Sequence, residues 1–165
     1  MDDAQPTGAS DRRGSTTSSV RVPATAVDAF RACTAPVALA TWRVPDTMTG
    51  DVDEFDARVG GHYRMTLTYA VADHEVPGKS GRHTDAFRGT FVELVPGERI
   101  VEVIEFETDD PELAGPMTVT TTFAESDGAT VVTIRHDRLP PGVRPRDNEA
   151  GTRQSLAKLR AYLDG

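Results

Sequence analysis

The sequence predicts an α+β fold in which an antiparallel sheet of six to seven strands packs against one long C-terminal helix. Most segments between residues 51 and 137 alternate apolar and polar residues, which is the period of a strand with one buried face. Turn-forming residues separate these segments, as in Pro96–Arg99 and Ser126–Gly128, which is typical of hairpins. The segment Pro145–Leu163 then carries apolar residues at helical spacing.

The chain begins its regular structure with one strand and two short helices. Residues 18–22 alternate and predict a short strand. Thr25 is expected to cap a first helix, because a threonine hydroxyl can accept a hydrogen bond from a free amide at a helix start. Thr34, with Pro36 at an early helical position, is expected to start a second helix that ends near Trp42.

The remaining strands are bounded by turn signals, and the clearest alternation is that of His62–Val71. A loop rich in proline, glycine and charge is expected at residues 72–83. Consecutive hairpins join strands into an antiparallel meander, on which the amphipathic helix can pack. The six strands predicted after the short helices are Asp51–Ala57, His62–Val71, Ala86–Val95, Ile100–Glu107, Met117–Ala124 and Ala129–Asp137.

At 165 residues, the chain is long enough for one domain with a sizeable core. Residues 1–16 contain no large apolar residue after Met1, so they cannot bury enough surface to offset the entropy of ordering. We therefore expect a disordered tail over residues 1–16 and a single folded domain over residues 17–165.

Charge and cysteine content exclude several classes of partner. The net charge is −8, and no basic cluster follows Arg12–Arg13, so binding to nucleic acid or to an anionic membrane surface is not expected. No run approaches the ~20 apolar residues of a membrane-spanning helix, so membrane insertion is not expected either. Cys33 is the only cysteine, which precludes an internal disulfide and fits a cytoplasmic location.

Five short motifs occur in a characteristic order along most of residues 20–163. They are Thr41–Pro45, Phe55–Met65, Val92–Glu102, Gly115–Thr120 and Asp147–Gly151. Together with the order of the elements, they resemble the helix-grip fold of the START-like, or SRPBCC (Bet v 1-like), superfamily. The likeness is greatest to the branch related to the activator of the 90-kDa heat-shock-protein ATPase.

The resemblance implies a curved antiparallel sheet that is wrapped around the C-terminal helix, with a ligand cavity between them. The superfamily contains lipid carriers, hormone receptors and polyketide cyclases, so the fold does not determine the function. Relatives often carry a tryptophan where this chain has Thr152. Either the cavity is wider here, or the contact that the ring makes in relatives is absent.

Three residues are candidates for acid–base chemistry. Strand alternation puts His136 and Glu102 on apolar faces, and Glu149 would meet them from the helix. Enclosure among apolar groups would shift their pKa values, which suits proton transfer or the binding of a polar ligand group. The alternatives are that Glu102 and His136 are solvated at strand ends or bulges, and that Glu149 only complements the dipole at the helix start.

The candidate ligand-binding residues are mostly large apolar side chains with a polar tip. On the helix, Glu149, Thr152 and Leu156 share one face at a spacing of three or four residues. Most of the large apolar residues are expected to form the core, and those nearest the gap between sheet and helix would contact a ligand. The candidates are Trp42, Tyr63, Tyr69, Phe106, Glu149, Thr152 and Leu156.

No metal site or cofactor is expected, because the sequence lacks paired histidine ligands, a P-loop and a dinucleotide-binding fingerprint. The favoured hypothesis is the binding of a small apolar or amphipathic molecule without catalysis. A second hypothesis is a cofactor-free cyclase or dehydratase that uses acid–base residues of the cavity. A third is a co-chaperone of the 90-kDa heat-shock protein, although the full activators have an additional N-terminal domain. The oligomeric state is not indicated.

Overall fold

The computed structural model describes residues 14–69 and 84–165, and it confirms the predicted α+β architecture. Seven strands form one curled antiparallel sheet, and a long helix follows them. The elements are β1 (Thr16–Val22), α1 (Ala26–Ala32), α2 (Pro36–Trp42), β2 (Met48–Asp53), β3 (His62–Tyr69), β4 (Thr84–Val95), β5 (Arg99–Phe106), β6 (Met117–Ser126), β7 (Ala129–Asp137) and α3 (Pro145–Asp164).

The strand order is β1-β7-β6-β5-β4-β3-β2, so β2 to β7 form a meander and β1 is added beside the last strand. Ser18 of β1 lies opposite Ile134 of β7. The long helix α3 packs against β1 and also contacts α1 and α2. The threonine hydroxyl of Thr16 donates to Oδ1 of Asn148 at 2.5 Å, which ties the first strand to the start of α3.

The first and last residues of several elements differ from the sequence predictions. The strand β1 begins at Thr16 rather than at residue 18, so the end of the predicted tail belongs to the sheet. Residues 1–13, which make up most of that tail, lie outside the described residues, as does the predicted loop at 72–83. The first strand after the short helices is Met48–Asp53 instead of 51–57, because its pairing with β3 places Met48 opposite Tyr69.

The cap of the first short helix was predicted correctly and that of the second was not. The Thr25 hydroxyl accepts a hydrogen bond from the amide of Asp28 at 3.2 Å, as expected. Helix α2 instead follows Ala35, which makes no side-chain cap, with Pro36 in its first turn. The Thr34 hydroxyl donates to the carbonyl of Phe30 at 3.0 Å, so it completes the end of α1.

The turn between β6 and β7 confirms the hairpin predicted at Ser126–Gly128. Asp127 has a φ of 56° and Gly128 a φ of 77°. A two-residue hairpin turn of this hand requires positive φ at both positions, and aspartate followed by glycine tolerates that backbone best.

The core lies between the concave face of the sheet and the helices, and it fills only part of that space. Leu156 and Leu159 of α3 are buried, as are Leu39 and Trp42 of α2. Aromatic rings pack around Tyr63, whose centroid lies 5.4 Å from that of Phe91. The C-terminal half of α3 therefore closes the core, whereas its N-terminal half borders a cavity.

Candidate functional site

A cavity of about 550 Å³ lies between the concave face of the sheet and the N-terminal half of α3. This volume is within the usual range for sites that enclose a small molecule, roughly 300–1,000 Å³. Strand alternation brings apolar side chains from β2 to β7 to its wall. The large apolar and aromatic residues that line it are Trp42, Met48, Leu67, Tyr69, Phe87, Ile104, Phe106, Met117 and Ile134.

The helix side of the cavity is formed by small and polar residues. Asn148, Gly151, Thr152 and Ser155 recur at intervals of three or four, which places them on one face of α3. The Thr152 hydroxyl donates to the carbonyl of Asn148 at 2.9 Å, one turn earlier. Most side chains on this roof are no larger than asparagine, and the longer side chain of Gln154 lines it as well.

One end of the cavity contains a buried polar cluster of Arg43, Glu102 and Tyr63. The Arg43 guanidinium lines the cavity, and its Nη1 donates to Oε1 of Glu102 at 3.2 Å and to the Tyr63 hydroxyl at 3.3 Å. The Tyr63 hydroxyl donates to the same carboxylate oxygen. The exposed fraction of the Glu102 side chain is 4% and that of Arg43 is 17%, so little water screens this pair.

The pKa values in this cluster follow from burial and from the charge pair. Burial alone would lower the pKa of Arg43, but the neighbouring Glu102 carboxylate raises it above its ordinary value. The pKa of Tyr63 is well above its usual value, mainly because burial disfavours the phenolate. Arg43 is therefore charged and Tyr63 is a neutral hydroxyl at any physiological pH.

His136 of β7 also lines the cavity, and its imidazole is neutral at pH 7. Burial, together with the positive charge of Arg43, lowers its pKa to about 4, while Asp137 acts in the opposite direction. The Nδ1 atom is enclosed and has no hydrogen-bond partner among the described residues. An imidazole in this position stays unprotonated in the folded protein far below the pH at which it is protonated in the unfolded chain.

We expect His136→Leu to reduce the sensitivity of the fold to acid. The ordinary pKa is 6.5, so above this pH the imidazole is neutral in both states. As the pH falls below 6.5, only the unfolded chain takes up the proton, and the wild type loses about 1.4 kcal/mol of stability per pH unit down to about pH 4. Urea unfolding at pH 7 and at pH 5 should show a loss for the wild type that exceeds that of the variant by roughly 2 kcal/mol.

All other titratable groups are common to both proteins, so the difference between their losses of stability isolates His136. Equal losses in the two proteins would show that the imidazole is protonated as readily in the folded state as in the unfolded chain.

Of the nine residues proposed from the sequence, five line the cavity, three lie beside it and one lies outside it. The five that line it are Trp42, Tyr69, Phe106, His136 and Thr152. The Trp42 indole N–H donates to the carbonyl of Ala32 at 2.8 Å, so its polar tip is satisfied and its ring faces the cavity. Tyr63 and Leu156 are buried in the adjoining core. Glu102 lies behind Arg43 in the centre of β5, so it is neither at a strand end nor solvated.

The expectation that Glu149 enters the cavity is corrected by the position of its side chain. Its Oε2 atom accepts a hydrogen bond from Nη2 of Arg153 at 2.8 Å, on the outer side of α3. Asn148, one residue before the predicted position, lines the cavity instead and accepts a hydrogen bond from Thr16. Glu149 also lies beyond the first turn of α3, in which Asp147 is the acidic residue.

Sequence reasoning missed Arg43 and Asp85, which both line the cavity. Asp85 shares the inner face of β4 with Phe87 and Phe91, and its position follows from alternation once the strand is extended to Thr84. Arg43 follows the last residue of α2, where no periodicity applies. Its direction depends on Glu102, which lies 59 positions away along the chain.

Residues 14–69 and 84–165 offer neither a cluster of metal ligands nor a membrane-spanning helix. They contain no group of three or more His, Cys, Asp or Glu side chains that could hold a metal ion. None of the helices in these ranges is long and apolar enough to cross a membrane.

Comparisons with known proteins agree with this architecture. The sequence profile of the Activator of Hsp90 ATPase homolog 1-like protein family matches residues 23–164. The crystal structure of protein CV1439 from Chromobacterium violaceum is 35% identical, with a TM-score of 0.77 over 90% of this chain and 97% of that one. The solution structure of an AHSA1-like protein from Aeromonas hydrophila is 20% identical, with a TM-score of 0.67 over 90% of this chain and 92% of that one. No curated protein matches the sequence.

Proposed function

Because the chain belongs to the family of Activator of Hsp90 ATPase homolog 1-like proteins, whose fold is compatible with ligand binding, we propose that it binds a small hydrophobic or amphipathic molecule. The site is the cavity between the sheet and α3. The observation that carries the proposal is a space of about 550 Å³ whose wall on the sheet side is mostly apolar, with polar groups on the helix side and in the cluster around Arg43. Such a wall removes apolar ligand surface from water, and the polar groups orient the ligand.

Binding is favoured over catalysis by the state of the acid–base candidates. Glu102 is engaged by Arg43 and Tyr63, and Glu149 lies outside the cavity. His136 remains, but a base with a pKa of about 4 is weak at neutral pH. Burial raises the pKa of the Cys33 thiol to about 12, which removes it as a nucleophile. A cofactor-free cyclase or dehydratase is therefore the second hypothesis.

The family name also keeps the co-chaperone hypothesis open to test. Five of the described residues have large exposed apolar side chains, and each comes from a different segment of the chain. They are Val27, Val37, Val59, Val92 and Tyr162. Failure of a 90-kDa heat-shock protein to bind the purified chain, or to change its ATPase rate in its presence, would reject this role.

Native mass spectrometry of freshly purified protein tests the binding proposal directly. We expect a recurrent mass increment that organic extraction removes and identifies as a small apolar or amphipathic molecule. Titration of the extracted protein with N-phenyl-1-naphthylamine, an uncharged fluorescent probe, should then give saturable binding of one molecule per chain. A protein that neither carries a ligand nor takes up the probe would contradict the proposal.

Filling the cavity should weaken this binding. In Thr152→Trp, the indole would enter the cavity from the roof, at the position where relatives often carry this ring. We expect the Kd of the probe to rise at least about tenfold, which is about 1.4 kcal/mol of binding free energy. Probe fluorescence measures the Kd.

The matched control for this variant is Ala157→Trp, which adds the same ring to the exposed side of α3. Its Kd should equal that of the wild type. If Thr152→Trp also binds the probe with unchanged affinity, the probe occupies some other site.

We further propose that the protein acts in the cytoplasm, since its single cysteine, Cys33, is buried and free. Fractionation of cells that express the tagged chain tests this location.

A further inference from the structure

Four side chains that line the cavity offer hydrogen-bond donors, namely Gln154, Asn148, His136 and Arg43. Gln154 and Asn148 both line it, and the side-chain oxygen of each is already engaged. Oε1 of Gln154 accepts from the amide of Asp46 at 3.1 Å, and Oδ1 of Asn148 accepts from the Thr16 hydroxyl at 2.5 Å. Each side chain therefore retains its NH₂ group, which can only donate.

His136 supplies another hydrogen-bond donor, the N–H group at Nε2 of its neutral ring. Its Nδ1 is enclosed without a partner, and a buried N–H without an acceptor is among the rarest and most costly arrangements in proteins. The proton of the neutral ring is therefore on Nε2. Because Nδ1 is enclosed, the ring edge that reaches the cavity is the one that carries Nε2.

Arg43 adds donors without adding an unbalanced charge. Its contacts with Glu102 and Tyr63 both use Nη1, and a guanidinium has five N–H groups. The guanidinium carbon lies 5.9 Å from the centroid of the Phe87 ring, at the border of the apolar wall. The Glu102 carboxylate already balances the positive charge, so a ligand anion would bring an unpaired charge into a poorly solvated site. The acceptors that line this cavity among the described residues are the carboxylates of Asp85 and Asp147, and the hydroxyls of Thr47, Tyr69, Thr152 and Ser155 can accept as well as donate.

We propose that the cavity selects uncharged ligands that present carbonyl-type oxygen acceptors, which Arg43 and His136 bind at its polar end while the rest of the ligand lies against the apolar wall. This inference rests on the proposed ligand-binding function and specifies the chemical class of the ligand. Charged amphiphiles such as fatty acids are poorly suited to this end, because Arg43 is already paired with Glu102, and Arg144, which also lines the cavity, is exposed to water at the start of α3.

Three naphthalenes of similar shape test the inference: 2-acetylnaphthalene, 2-ethylnaphthalene and 2-naphthoate. We expect the acetyl compound to displace N-phenyl-1-naphthylamine with a Kd about tenfold lower than that of the ethyl compound, as two modest net hydrogen bonds would give. The naphthoate should bind more weakly than the acetyl compound. In His136→Leu, the preference for acetyl over ethyl should fall to about threefold, with the Kd of the ethyl compound unchanged.

A second variant, Asn148→Asp, keeps the oxygen that binds Thr16 and exchanges the NH₂ donor for an acceptor. This variant should raise the Kd of the acetyl compound more than that of the ethyl compound. Equal affinities for the acetyl and ethyl compounds, or tighter binding of the naphthoate, would overturn the inference while leaving the proposed function intact. If none of the three compounds nor the probe binds, both are overturned.

Discussion

Replacing Glu102 by Ala is expected to lower the free energy of unfolding by about 3–5 kcal/mol, the usual cost of breaking a buried ion pair from one side. The change leaves the Arg43 guanidinium without its balancing charge in a site where its exposed fraction is 17%. It also leaves the buried Tyr63 hydroxyl without its acceptor. Urea denaturation followed by circular dichroism measures the loss.

Two further variants separate this explanation from a simple loss of packing. Glu93→Ala breaks the ion pair with Arg99 in the same sheet, where both side chains are about 40% exposed, and should cost at most about 1 kcal/mol. The triple variant Arg43→Met, Glu102→Leu, Tyr63→Phe removes all three polar partners together. It should recover most of the loss, because no buried polar group is then left unpaired. If Glu102→Ala lowers the free energy of unfolding no more than Glu93→Ala does, the ion pair between Arg43 and Glu102 is solvated.

Gly89→Ala is expected to destabilise the protein by about 3 kcal/mol, from overpacking and from disruption of the hydrogen bonds of Tyr63. Gly89 lies opposite Tyr63 across β3 and β4, and the tyrosine ring lies over it. A methyl group there would collide with the ring and lie 2.6 Å from its hydroxyl oxygen. The ring cannot yield easily, since Phe91 and Phe55 pack against it at centroid distances of 5.4 and 5.7 Å.

The control for this substitution is Gly151→Ala in α3, where an added methyl group meets nothing within 4 Å. It should stabilise the helix by about 0.5–1 kcal/mol, because alanine loses less backbone entropy than glycine. In the Gly89→Ala background, the further change Tyr63→Leu should cost much less than it does alone, since the ring has already been displaced. Additive costs would indicate that Tyr63 adapts without leaving its position.

Local rules accounted for the strands and for the direction of their side chains. Glu102 and His136 were expected on inner faces from alternation alone, and the structure places both there. This succeeds because the strand period is two residues, so one well-assigned apolar neighbour determines the side of every other residue in the strand. The same rule would have found Asp85 if the start of β4 had been extended to Thr84.

Local rules did not predict which residue at the start of α3 faces the cavity. Glu149 and Asn148 differ by only about 100° in direction around α3, and the periodicity of three leucines does not distinguish between them at the far end of the helix. Asn148 is the one that faces the cavity, where it is held by a hydrogen bond from Thr16. This bond joins residues that are 132 positions apart along the chain.

By itself, the sequence determined the order of the elements, the turns and the family of the fold, because these depend on residues that are neighbours along the chain. The tertiary structure alone turned Arg43 into the cavity and Glu149 away from it. Arg43 faces it because Glu102, on a distant strand, binds its guanidinium, and His136 is neutral because the packed sheet excludes water from its ring. Both effects arise from burial and charge in the folded protein. Where the local dielectric is low, a charge that is distant along the chain but close in space interacts more strongly than a solvated neighbour in the sequence.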